Sequence, residues 1–71
     1  MSEQVLAEMV ANVWKVVVSV GDEVDAGDTI CILESMKMEI PVEATASGKV
    51  AQLNVDEGGV VQEGDVIAVI E

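Results

Sequence analysis

The sequence predicts an all-β fold, a flattened barrel or sandwich made of two quasi-symmetric four-stranded halves. Three observations predict it. First, the 71-residue chain repeats itself at a constant offset of 37, so that residues 1–34 lie over residues 38–71 without a gap. Second, the apolar residues are mostly Val, Ile, Leu and Ala, with Trp14 the only aromatic, and β-branched side chains suit a pleated, half-buried surface better than a helix. Third, glycines recur at equal spacing in both halves and mark turns between short apolar runs.

Beyond the initiating Met, ten pairs are identical at this offset, among them Gly21 with Gly58, Gly27 with Gly64, Asp28 with Asp65 and Glu34 with Glu71. The glycines and aspartates weigh more than the valines, because a Val-rich composition produces valine coincidences by itself. The spacing G-x-x-V-x-x-G-D stands in both halves, as "GDEVDAGD" and "GGVVQEGD". The weakest pairs are Trp14 with Ala51, Val17 with Asn54 and Val20 with Glu57.

Taken in order, the first strand of each unit is expected over Val5 to Met9 and Glu39 to Ala44, and the second over Val13 to Val20 and Val50 to Val55. In the second strand Trp14, Val16, Val18 and Val20 alternate with Lys15 and Ser19, which predicts one buried face and places Trp14 in the core or at a barrel end. A short third strand surrounds Val24 or Val61. The fourth strands, "TICIL" and "VIAVI", are apolar on both faces and belong at the centre. A unit of 34 residues cannot bury its apolar face alone, so two units related by a pseudo-twofold are expected to bury theirs together in one domain spanning 1–71. Only residues 35–37 remain between them, as a hairpin tip. The twofold then sets Lys37 at one end of the molecule and Met1 and Glu71 at the other.

Composition removes several classes of function. The formal net charge of −11, from 14 acids against Lys15, Lys37 and Lys49, repels nucleic acid and anionic membrane surfaces. There is no histidine, and the single Cys31 lies inside an apolar strand, where it reads as an inert core thiol. No disulfide, zinc site or catalytic dyad can be assembled from this inventory, and the chain is expected to have no catalytic residues of its own. The acidic "DEVDAGD" misses the calcium-loop pattern and reads as turn, short strand and turn. No window is long and apolar enough to span a bilayer, and the N-terminus lacks a basic leader, so a soluble, cytoplasmic, monomeric protein is expected.

What remains is "ESMKMEIP", Glu34 to Pro41. A tight hairpin wants Asn-Gly or Asp-Gly at its tip, yet Met36 and Lys37 stand there. An exposed lysine ordinarily only solvates a turn. Lys37 is set apart by its place at the junction, by the methionines on both sides and by the scarcity of lysine in so acidic a chain. Met36 and Met38 offer an adaptable apolar surface, and a primary amine between them is a nucleophile for an activated acyl group if an enzyme desolvates and deprotonates it. Glu34 and Glu39 either solvate the hairpin or belong to the surface a modifying enzyme reads. Pro41, lacking an N–H, suits an edge strand.

With these residues in view, the chain resembles the biotinyl/lipoyl domain family, and within it the small free-standing biotin/lipoyl attachment proteins of the biotin carboxyl carrier type. The resemblance rests on Met36-Lys37-Met38 between two copies of the Gly-x-x-Val-x-x-Gly-Asp unit and covers the whole chain. It implies that biotin is amide-linked to Lys37 by a biotin protein ligase, with Met36 and Met38 the recognition residues beside it; Glu34 and Glu39 stand as further candidates for the surface that ligase reads. It also implies that the arm carries a carboxyl group between a biotin carboxylase and a carboxyltransferase. Lipoyl domains share the fold but usually show Asp-Lys-Ala at the tip, which favours biotin over lipoate here. The rival readings are a lipoyl carrier and an unmodified β-rich interaction module.

Overall fold

A computed structural model describes residues 2–71; Met1, which the sequence reading placed with Glu71, lies outside the described residues. Eight strands follow one another: β1 (Glu3–Leu6), β2 (Ala11–Val16), β3 (Glu23–Val24), β4 (Thr29–Ser35), β5 (Met38–Glu43), β6 (Gly48–Leu53), β7 (Val60–Val61) and β8 (Val66–Ile70). They form two four-stranded sheets, one in the order β1-β8-β6-β3 and the other β5-β4-β2-β7. The offset of 37 carries the first order onto the second strand for strand. Each sheet therefore takes two strands from each half of the sequence, so the halves interlock instead of stacking.

The correspondence extends to irregularities. Between β2 and β4 the register slips at Trp14, and between β6 and β8 it slips at Ala51, the equivalent position. A second pair of slips falls opposite Ile30 in β4 and Ile67 in β8. Each bulge lets two consecutive residues share a face. On β4 this is why Ile30 and Cys31 are both fully buried, and on β8 why Ile67 and Ala68 are.

The bulge at Trp14 also corrects the expected alternation. Ala11 and Val13 point into the core, Trp14 and Lys15 point out, and Val16 turns in again. Trp14 is accordingly half exposed, at 49%, and not a core residue; β2 ends at Val16 instead of running to Val20. β1 likewise lies over Glu3–Leu6 and stops short of Met9, since Ala7 instead exchanges backbone hydrogen bonds with Gly64 and Asp65.

Between the sheets lies a core of small aliphatic side chains, with Ile30, Leu33, Ile67, Ile70, Val50 and Cys31 the largest of those fully buried. None of the described residues that are buried is polar or charged. Burial pushes the Cys31 thiol up to about 11 by desolvation, as suits an unreactive packing group. The glycine–aspartate turns are also duplicated. Gly27 and Gly64 adopt φ of 95° and 89°, and the carboxylates of Asp28 and Asp65 accept hydrogen bonds from the N–H groups of Asp25 and Gln62, both at 2.9 Å. The molecule is elongated, 33 × 19 × 18 Å.

Candidate functional site

β4 and β5 are the longest paired strands, and their ladder closes on a two-residue turn. Ser35 pairs with Met38, Glu34 with Glu39, Leu33 with Ile40 and Ile32 with Pro41. Met36 and Lys37 form the apex, with φ of 52° and 66°. Two successive residues with positive φ define the hairpin turn whose twist matches that of its strands, normally supplied by Asn and Gly. Among the described residues these are the only non-glycine positions with positive φ. Left-handed backbone costs an L-residue with a side chain about 1–2 kcal/mol, so the tip carries the most strained non-glycine backbone among the described residues.

A second cost lies directly beneath. Glu34 and Glu39 face each other across the strands, and like charges in that position are destabilising by several tenths of a kcal/mol. The rigid pair of strands thus ends in two carboxylates, a strained turn and an amine. Met36 is 92% exposed and Met38 61%, and Lys37, Glu34 and Glu39 are exposed as well. All five residues singled out from the sequence are brought together here. Pro41 sits on β5, an edge strand, where its missing N–H costs no ladder bond.

Cys31 is buried in β4 and takes no part in the tip. Among the described residues no group of three or more His, Cys, Asp or Glu is placed to hold a metal ion. What the site can do chemically follows from its shape: it offers one primary amine, at an apex an enzyme can approach from nearly every side, between two flexible thioethers.

Sequence reasoning did not find the opposition of Glu34 and Glu39, although a two-residue turn at 36–37 requires it. Nor did it find the exposed Trp14, whose orientation depends on a bulge that no local residue announces.

The chain is thus an all-β, two-sheet domain with an exposed lysine at the apex of a strained hairpin. The family model described as "Biotin-requiring enzyme" matches residues 3–70, and the chain belongs to that biotin/lipoyl family. It is 56% identical to the "Biotinylated protein TB7.3 homolog" of Mycobacterium leprae over 70 residues, 99% of each chain. It is 50% identical to the "Biotin/lipoyl attachment protein" of Bacillus subtilis over 60 residues, covering 84% of this chain and 82% of that one. Among solved structures, the urea carboxylase of Kluyveromyces lactis matches with a TM-score of 0.92 and 44% identity, covering all of this chain but 6% of the carboxylase.

Proposed function

We propose that this protein is a biotin carboxyl carrier in which biotin is amide-linked to Lys37, serving a biotin carboxylase and a carboxyltransferase. The observation that supports this most is the tip: a strained, fully displayed Met36-Lys37-Met38 in a chain of the biotin/lipoyl family. The relatives support the cargo, since the mycobacterial protein is named as biotinylated and the yeast match is a urea carboxylase.

The residues fit such a group. Lys37 stands at the apex with its side chain exposed, and no buried side chain has to move for it to be acylated. A biotin protein ligase has to desolvate the ε-amine and take its proton; the amine then displaces AMP from biotinyl-adenylate, forming the amide. Met36 and Met38 give the ligase apolar contacts that adapt to its surface, and Glu34 and Glu39 mark the approach with negative charge. Held by an amide at Lys37, biotin would supply a ureido nitrogen able to carry a carboxyl group between two enzymes. The two paired strands hold the base of the arm still, so that its reach is set by the lysine and its substituent.

Intact-mass and peptide mass measurements on protein from its native host test this. A biotinyl adduct on the Lys37 peptide is the expected result. A lipoyl adduct there would reassign the cargo, and a persistently unmodified lysine in the presence of the ligase would overturn the carrier role. Lys37→Arg keeps the charge and removes the acceptor, so streptavidin reactivity is expected to vanish completely while the fold persists.

A further inference from the structure

The two sheets share strand order and bulge positions, and differ in how much apolar surface their outer faces expose. In the sheet β5-β4-β2-β7, Pro41, Ile32 and Trp14 run across the strands, with Ile32 aligned to Pro41 on one side and to Lys15, beside the bulged Trp14, on the other. Val17 continues alongside β4 through its N–H bond to the Ile30 carbonyl, and Val60 lies beside Asn12. Trp14, Val17 and Val60 are 49%, 51% and 63% exposed. The offset of 37 carries these five residues to Gln4, Val69, Ala51, Asn54 and Glu23 on the other sheet. Val69 and Ala51 are apolar too, but Val69 is nearly buried and Ala51 is small; Leu6, on the edge strand β1, is the exception, at 46% exposed.

The fold evidently does not need an exposed tryptophan or valines at these places, because the equivalent places do without them. We infer that the outer face of β5-β4-β2-β7 is the surface by which the loaded carrier docks on the enzyme that carboxylates its tethered group. The inference rests on the carrier reading above.

Two features bear on the occupant. The band, apolar except for the exposed Lys15 beside Trp14, runs between acidic rows: Glu34 and Glu39 lie on the tip side, and Glu43, aligned with Thr29, on the other. Glu57 closes the β2 edge, where its carboxylate accepts from the Val16 N–H at 3.2 Å. A matching surface is apolar at its centre and rich in Lys and Arg at its rim. A second copy of this chain, with a net charge of −11, matches poorly.

The geometry of the task selects further. A ligase acts on the Lys37 amine itself and must grip the tip. An enzyme working on the far end of the arm has to hold the domain elsewhere, and β4 and β5 connect this face rigidly to Lys37.

The test is steady-state carboxylation by the biotin carboxylase of the same organism, with the loaded domain as the varied substrate and loading verified by intact mass. Trp14→Ala combined with Val17→Asn imports the residues that Ala51 and Asn54 already place on the same backbone, which protects folding. The expected result is a KM raised about tenfold or more with kcat unchanged, as truncating a central aromatic anchor does. Wild-type KM is expected to rise with salt. Gln4→Ala and Gln52→Ala on the other sheet are expected to change KM less than twofold. A loaded double variant with wild-type KM overturns the inference. So does a loading rate by the ligase that falls by the same factor, which would give the face to the ligase, a KM for the carboxyltransferase step that rises as much while the carboxylase KM does not, which would give it to the transferase, or a wild-type dimer in sedimentation that the variant dissolves. A domain that never acquires an adduct instead fails the carrier reading itself.

Discussion

The glycine–aspartate turns and the methionine–lysine turn solve the same problem, reversing a short strand, in opposite ways. At Gly27-Asp28 and again at Gly64-Asp65, glycine takes the positive φ and the aspartate carboxylate satisfies an N–H three residues back. Each glycine N–H also donates to the carbonyl of an alanine, Ala44 or Ala7, in the other half, at 2.9 Å. These turns are chosen for the backbone and tie the two units together. At Met36-Lys37 the backbone adopts positive φ twice without a glycine and sits above a like-charge pair. The duplicated turns follow the backbone's preferences, and the turn that occurs once goes against them.

If the duplicated frame is a single design used twice, equivalent core deletions have to cost the same. Ile30→Ala and Ile67→Ala remove fully buried side chains at matched bulges, and each is expected to lose about 2–5 kcal/mol by urea unfolding. A difference between them larger than about 1 kcal/mol would break the equivalence of the halves.

Cys31 is a place where the frame is duplicated in shape but not in chemistry, because its equivalent is Ala68. Burial moves the thiol from its ordinary value of 9 to about 11, so as pH rises through that window the unfolded chain loses the proton first and is favoured. Stability is therefore expected to fall by roughly 1 kcal/mol per pH unit across the window and to level off above it. Cys31→Ala should remove this slope, which unfolding curves taken at a series of alkaline pH values would show.

The tip gives a gain in place of a loss. Met36→Asn with Lys37→Gly supplies the residues such a turn prefers and is expected to raise stability by about 1–2 kcal/mol while abolishing modification. A neutral or destabilising result would mean that the native pair helps to hold the hairpin. The smallest effects belong to Asp28→Ala and Asp65→Ala, expected to cost about 1 kcal/mol each, because water can replace the lost carboxylate at an exposed N–H. Measured in one denaturant series, these two should again agree with each other.

Much of this frame was legible in the residues. The all-β class, the central fourth strands and the edge position of Pro41 followed from periodicity, from glycine spacing and from the missing proline N–H. The convergence of Glu34, Met36, Lys37, Met38 and Glu39 was equally legible, because a repeat with only three residues between its copies forces a reversal there. What escaped was set by partners distant in sequence. Trp14 faces solvent because β4 slips by one residue against β2, and only the pairing of the two strands determines that. The exchange of strands between sheets was likewise hidden, since 3.6- and 2-residue periods report which face is buried and not which neighbour buries it. The paired glutamates follow from a turn length that Met and Lys do not advertise.

Because every sheet draws on both halves, neither half can hold a sheet of its own, and the arrangement is that of two swapped subunits joined head to tail. In such a fusion the joint is the single stretch without a counterpart. Its tie to the frame is a covalent one, keeping the halves at high mutual concentration whatever residues compose it. A chain cut between Met36 and Lys37 would still contain all eight strands and every inter-sheet contact. Substitution at the joint therefore leaves the duplicated frame intact, so a new signal can be written there without renegotiating the rest of the molecule.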